Sequence, residues 1–216
     1  FAPTPSGRMH LGNLLSALLA WLDARSGGGA LVLRIEDLDT QRTSPDFALQ
    51  LMDDLRWLGL DWDEGGLEPA YMQSRRTAYY EDAFRMLEEK GLIYPCYCSR
   101  TERMAASAPH REDGAVVYSG KCFHLTQAER EVLERRGRRP AWRVRCPDLT
   151  VALEDGSCGP YAENLARDCG DFIVRRSDGV FAYQLAVVVD DAAMGVTEVV
   201  RGADLLASTP RQLYLY

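Results

Sequence analysis

The strongest chemical signal in the 216-residue sequence is a group of thiols. Cys96 and Cys98 are separated by one residue, and Cys122 follows in the same stretch. Two thiolates two residues apart can share one metal ion, and a third completes most of a tetrahedron. The fourth ligand can come from His124, His110 or Tyr118. Coordination chemistry alone favours His124, since imidazole is a common zinc ligand and phenolate is not. Three buried thiols with no metal are the plain alternative. Cys146, Cys158 and Cys169 lack tight spacing and read as core or incidental.

A second constellation opens the chain: Pro3-Thr4-Pro5-Ser6-Gly7-Arg8-Met9-His10-Leu11-Gly12-Asn13. It sits just before a helical pattern, where free N–H groups and a positive dipole end can hold phosphate. Gly7 and Gly12 would let a ligand reach the backbone, and His10 could donate to a phosphoryl oxygen. A plain Pro/Gly loop with a surface histidine is the other reading. Neither G-x-G-x-x-G nor a Walker loop is present. Arg34-Ile35-Glu36-Asp37-Leu38-Asp39 ends an apolar run with three carboxylates, and Glu36 could pair with a substrate ammonium there. Asp190-Asp191 and Arg201-Gly202-Ala203-Asp204 follow later apolar runs. A guanidinium at Arg201 could clamp a carboxylate bidentately. Arg135, Arg136, Arg138 and Arg139 form a local basic stretch, a candidate nucleic-acid contact or a solvated helix end.

The elements that must position these groups follow from periodicity. Leu14, Leu15, Leu18, Leu19 and Leu22 predict a helix with Asn13 as N-cap, ended by Gly27, Gly28 and Gly29. Residues 30–35 read as a buried strand. Ser44-Pro45 starts a helix whose apolar face is Phe47, Leu51, Leu55 and Leu58. Another helix runs over about residues 73–90 and stops at Gly91. Thr126 and Glu129 form a capping box for a helix that ends at Gly137. Strands are expected at 141–146 and 150–154, with Asp155-Gly156 as a turn. Strands at 171–176 and 180–189 would flank Ser177-Asp178-Gly179. A further strand is expected at 196–200, and Ser208-Thr209-Pro210 opens a last helix. The pattern is that of an α/β domain with a parallel sheet, interrupted by an insertion.

Composition bounds the function. Hydrophobic residues make up 46% and charged residues 26%, which excludes a disordered or collagen-like chain. No apolar run approaches a membrane span and no signal peptide opens the chain. With 25 Lys+Arg against 32 Asp+Glu, the net charge is −7. No global positive field attracts phosphates, so a nucleic-acid partner would need a local patch. Scattered cysteines without an export signal favour a reducing compartment, and a cytoplasmic location is expected.

In combination these segments resemble the class I aminoacyl-tRNA synthetases of the glutamate type. Residues 1–7 with Met9-His10-Leu11-Gly12-Asn13 resemble the family's opening and its "HIGH" signature. Leu33-Arg34-Ile35-Glu36-Asp37 resembles its second-strand motif. Phe181-Ala182-Tyr183-Gln184-Leu185-Ala186, Val188-Val189-Asp190-Asp191 and Val200-Arg201-Gly202-Ala203-Asp204-Leu205 resemble the second half of its Rossmann domain. The resemblance implies a Rossmann-type catalytic domain in two halves, residues 1–92 and 171–216. Between them, residues 93–170 would be an insertion carrying the zinc site and an acceptor-binding-like region.

The wording at 34–39, 118–122 and 187–205 is nearest to a shortened branch of the family. That branch attaches glutamate to the queuosine base of tRNA(Asp), and in it a tyrosine matching Tyr118 is a zinc ligand. The resemblance implies His10, Gly12 and Asn13 as catalytic residues. It implies a glutamate site of Phe1, Ala2, Pro3, Thr4, Glu36, Tyr183 and Arg201. ATP would meet Pro5, Gly7, His10, Gly12 and Asp204, and zinc would be held by Cys96, Cys98, Tyr118 and Cys122. ATP, Mg²⁺ and Zn²⁺ are the implied cofactors. L-glutamate and queuosine-bearing tRNA(Asp) are the implied partners of a monomer that does not meet membranes.

Two departures matter. The family's arginine before the residue matching Phe1 is absent, and the chain ends at Tyr216, before the lysine loop of the "KMSKS" type. The chain therefore reads as part of a longer protein. Two alternatives stand beside this expectation: a discriminating synthetase charging tRNA(Glu), and an inactive zinc-stabilised RNA-binding paralogue.

Overall fold

The computed structural model describes residues 1–99 and 117–216. The chain forms two compact units, one of Phe1–Tyr80 with Asp191–Leu206, the other of Glu81–Asp190 with Ala207–Tyr216.

The first unit contains α1 (Leu11–Ser26), β1 (Val32–Leu33), α2 (Pro45–Trp57), β2 (Glu64–Gly65) and the start of α3 (Thr77–Glu89). β1 and β2 pair in parallel, as the α/β pattern predicts. β1 is flanked on both sides. Arg34 N donates to Phe1 O and Glu36 N to Pro3 O, each at 3.0 Å, while Phe1 N donates to Val32 O at 2.7 Å. Pro3 has no N–H, so it cannot return a bond, and the opening segment lies along β1 without a full ladder. On the other side Ile35 bridges Met72 in parallel. The core beneath is Ala17, Leu33, Ile35, Ala48, Leu51, Met52, Leu55 and Leu60.

Gly65 shows why a glycine stands between these strands. Its φ is +106°, and a Cβ there would lie 2.0 Å from the Leu33 carbonyl oxygen. A Gly65→Ala protein should lose at least about 2 kcal/mol, read as a lower urea midpoint with unchanged slope.

The second unit contains β3 (Ile93–Cys96), α4 (Gln127–Arg135), β4 (Ala141–Val144), β5 (Thr150–Asp155), β6 (Gly159–Asn164), β7 (Phe172–Arg175), α5 (Tyr183–Ala193) and α6 (Thr209–Leu215). The last three residues of α5 fall in the first unit. β3-β4-β7 form an antiparallel sheet, and β5-β6 a hairpin. At the hairpin tip Asp155 Oδ1 accepts from the N–H groups of Ser157 and Cys158, the turn expected at Asp155-Gly156.

Several expectations need correction. The N-cap of α1 is His10, and Asn13 is the third helical residue. Leu15, Leu18, Leu19 and Leu22 give α1 its helical period but are exposed; the small Ala17 and Ala20 make its buried face. In α2 the buried residues are Ala48, Leu51, Met52 and Leu55, whereas Phe47 and Leu58 are exposed. α3 starts at Thr77, after a short turn at Gln73–Arg75.

Residues 180–189 are mostly helical, not a strand: Phe181 makes one bridge to Arg175, then α5 begins. A short apolar run has no readable period, and here burial overrides the β-preference of three consecutive valines. Leu185, Ala186, Val187 and Val188 are all buried, as on a helix enclosed on most sides. Residues 196–200 form no strand and join no ladder among the described residues. Asp190, Asp191 and Arg201 are therefore not at strand ends. The two aspartates lie in the last turns of α5, and Arg201 lies in a segment with no helix or strand.

Candidate active-site segment and metal centre

In the first unit His10 is tied into the start of α1. Its Nδ1 accepts from Gly12 N at 3.1 Å and Asn13 N at 3.4 Å, and Asn13 Oδ1 accepts from His10 N at 3.2 Å. An Nδ1 that accepts carries no proton, so the ring's proton sits on the exposed Nε2. The N–H groups of Gly12 and Asn13 are thus engaged by the histidine. The ring's Nε2–H is turned away from those two bonds. Gly12 has a packing reason: a Cβ there would lie 3.0 Å from the imidazole Cε1, whereas Gly7 faces open space.

Glu36 lies beside the opening segment through its backbone bond to Pro3. Its carboxylate accepts from Arg34 Nη2 at 3.3 Å, and Arg34 Nη1 reaches Asp191 Oδ1 at 2.5 Å. Arg34 is buried. It links the acidic end of β1 to the C-terminal turn of α5, where a bare carboxylate would oppose the helix dipole. Phe1, Ala2, Pro3, Thr4, Pro5, Gly7, Arg201 and Asp204 belong to this same unit, and Tyr183 belongs to the other.

The second unit brings the thiols together. The Sγ atoms of Cys96, Cys98 and Cys122 lie within 4.8 Å of one another. Tyr118 Oη is 3.4 Å from both Cys96 Sγ and Cys98 Sγ, and Cys98 Sγ is 3.4 Å from Cys122 Sγ. A zinc tetrahedron with Zn–S near 2.3 Å and Zn–O near 2.0 Å has edges of about 3.5–3.8 Å. The three 3.4 Å distances lie close to those edges. The His124 ring, favoured by coordination chemistry, stacks edge-on against Phe123, while Tyr118 Oη lies beside two of the thiols. His110 lies outside the described residues.

Charge supports the cluster. The Cys96 thiol is pulled down to about 4, first by the Cys122 hydrogen bond, then by Tyr118, the Cys98 N–H and Arg143, against the cost of burial. Burial pushes Tyr118 up, and Cys122 is pushed up by its bond to Cys96. The buried Arg143 guanidinium lies 3.9 Å from the Tyr118 ring centre. Arg143 also donates to the Asp171 carbonyl at 2.5 Å. Burial pushes the Cys146 and Cys169 thiols up to about 12, which leaves them inert. Arg143 and Asp171 were not visible as site residues in the sequence. An arginine in a strand carries no signal of what its guanidinium covers.

The sequence matches the family of class I tRNA synthetases (E and Q), catalytic domain, over residues 1–216. The chain belongs to this family. Among the synthetase's relatives, the glutamyl-Q tRNA(Asp) synthetase of Nitratidesulfovibrio vulgaris is 54% identical over all of this chain and 68% of its own length. That of Symbiobacterium thermophilum is also 54% identical, again over 68% of its length. That of Neisseria meningitidis serogroup C is 51% identical over 70%.

The synthetase fold also aligns with a glutamate tRNA ligase from Elizabethkingia meningosepticum solved with its amino acid. That match has TM-score 0.83 and 29% identity, over all of this chain and 45% of that one. The glutamate-tRNA synthetase of Elizabethkingia anophelis gives TM-score 0.85 and 30% identity, over 46% of its length. The chain thus spans about two thirds of the curated relatives and under half of the solved synthetases. No helix among the described residues is long and apolar enough to cross a membrane.

Proposed function

We propose that this chain is the catalytic part of an enzyme that activates L-glutamate with ATP and transfers it to the queuosine base of tRNA(Asp). The observation that carries the reading is the 54% identity along the whole chain to proteins named glutamyl-Q tRNA(Asp) synthetase, against 29–30% to glutamate tRNA ligases. In the first step a glutamate carboxylate oxygen attacks the α-phosphorus of ATP, giving glutamyl-adenylate and pyrophosphate. A hydroxyl of the queuosine cyclopentene ring then attacks the activated carbonyl and AMP leaves.

The protein's task is positioning and charge stabilisation. His10 Nε2–H would donate to a phosphoryl oxygen, with Gly12 and Asn13 holding the ring in that tautomer. Pro5, Gly7 and Asp204 would complete the ATP site, and Mg²⁺ would travel with the nucleotide. Glu36 would receive the substrate ammonium, sharing its carboxylate with Arg34. Phe1 to Thr4 would line the glutamate site, and Tyr183 and Arg201 would hold the glutamate carboxylate end. Cys96, Cys98, Tyr118 and Cys122 would hold one structural zinc. Four protein ligands leave no open coordination position, so zinc would supply rigidity and no chemistry. The enzyme is taken as a cytoplasmic monomer, with residues 93–170 as its insertion.

Transfer of radiolabelled glutamate by the full-length protein tests the reading. Product is expected with queuosine-bearing tRNA(Asp) and is lost when guanine occupies the wobble position. Efficient charging of tRNA(Glu) at its 3′ end would replace this reading with the discriminating synthetase. Within the same assay, Arg201→Ala should weaken glutamate use by a factor corresponding to ~2–5 kcal/mol while ATP affinity changes little. An unchanged glutamate KM and kcat would remove Arg201 from the site.

A further inference from the structure

The last turn of α4 and the residues after it form a rigid arginine-bearing corner next to the thiol cluster. Arg138 N donates to Leu133 O at 3.1 Å and Gly137 N to Glu134 O at 2.8 Å. Gly137 has φ +77°. This is a Schellman stop, the glycine taking the left-handed position that other residues avoid. Two further bonds fasten the corner to Tyr97, the residue between Cys96 and Cys98. Arg138 Nη1 donates to Tyr97 O at 3.1 Å, and Tyr97 Oη donates to Glu134 Oε1 at 2.5 Å. Tyr97 itself is buried.

Arg135, Arg136, Arg138 and Arg139 are all exposed. Arg138 is spent on the fastening. Arg135, Arg136 and Arg139 carry no hydrogen bond or ion pair among the described residues. That contrasts with Arg34, Arg25, Arg56, Arg175 and Arg176, each of which meets a carboxylate. Arginines at a helix C-terminus interact well with its dipole, and one would suffice for that. Three within five residues, on a chain of net charge −7, concentrate positive charge at a corner held by two backbone and two side-chain bonds.

We infer that residues 135–139 form an RNA-phosphate docking surface, with Arg135, Arg136 and Arg139 as the contacts and Arg138 with Tyr97 as the fastening. The partner class is the ribose-phosphate backbone. A guanidinium grips two phosphate oxygens at once, and all four cations here are arginine. The inference rests on the proposed tRNA-directed function and adds where the RNA sits on this unit. It gives the thiol cluster a purpose: whatever holds Cys96 and Cys98 also holds Tyr97, and Tyr97 holds the corner.

The test uses the full-length protein, tRNA(Asp) binding by fluorescence anisotropy across a salt series, and glutamate-dependent ATP–pyrophosphate exchange without tRNA. The triple variant Arg135→Gln, Arg136→Gln, Arg139→Gln should bind tRNA more weakly. Its slope of log affinity against log salt should be shallower by about 2–3, one released counterion per lost contact. Its exchange rate should equal the parent's. The triple Arg→Lys variant should keep the slope. Tyr97→Phe should weaken binding with the slope retained.

An unchanged slope and affinity in the glutamine variant would overturn the inference while leaving the proposed activity intact. Absent exchange in the parent would overturn the activity instead, and the salt series would still decide the surface. Binding of the parent to phosphatidylserine vesicles, lost in the glutamine variant while tRNA binding is kept, would assign the surface to a membrane and overturn the RNA reading.

Discussion

Cys122→Ser is expected to bind zinc at least ~100-fold more weakly than the parent, the upper end of what even an outer-sphere partner costs. Purified parent protein should hold about one zinc per chain, measured by atomic emission. The decisive pair is Tyr118→Phe against His124→Ala. Tyr118 Oη sits 3.4 Å from two thiols, and the His124 ring is turned to Phe123. The phenylalanine variant should lose at least ~10-fold in affinity in a chelator competition, and the alanine variant should lose none. The opposite ranking would return the fourth corner to histidine. Stripping zinc with a chelator should lower the melting temperature, because a bound ion would hold ligands from 96 to 122 near one another.

Asp191→Ala should cost about 3 kcal/mol of stability, read by urea unfolding. Its partner Arg34 has a side chain only 6% exposed, and the loss would remove its 2.5 Å contact while keeping the longer 3.3 Å contact to Glu36. Breaking one side of a buried pair is expensive because the other charge stays desolvated. The cost stays at the lower end of the usual range because Glu36 still compensates. Removing Asp61, fully exposed beside Arg25, should change stability far less. Equal losses at the two positions would show that Arg34 is better hydrated than its burial indicates.

The legible parts of this protein were those with local causes. Ser44-Pro45, the Thr126–Glu129 box and Gly137 mark helix ends through bonds within a few residues, and each was found where expected. The Cys-x-Cys spacing likewise announced a cluster, and Cys96, Cys98 and Cys122 do come together. What failed depended on distant neighbours. α5 was misread because its valines favour strands, and only burial against the rest of the unit makes a helix of them. α1 was found by its leucines, yet alanines make its packed face. Arg143 and Tyr97 gave no signal, since their roles exist only once β3, β4 and α4 are assembled. The N-cap was misplaced by three residues because histidine is an unusual cap, and here the cap is also the proposed donor to phosphate.

The single residue between Cys96 and Cys98 carries a consequence for how this region can change. In extended chain successive side chains point to opposite sides, so one residue between the thiols sends both toward the cluster and Tyr97 toward α4. An insertion of one residue at this point would reverse that assignment, as a register slip does in a sheet. One thiol would leave the cluster, or the tyrosine would leave the helix. Length variation should therefore be tolerated at the Asp155–Gly159 hairpin tip and refused at 97, although both positions lie within the same unit.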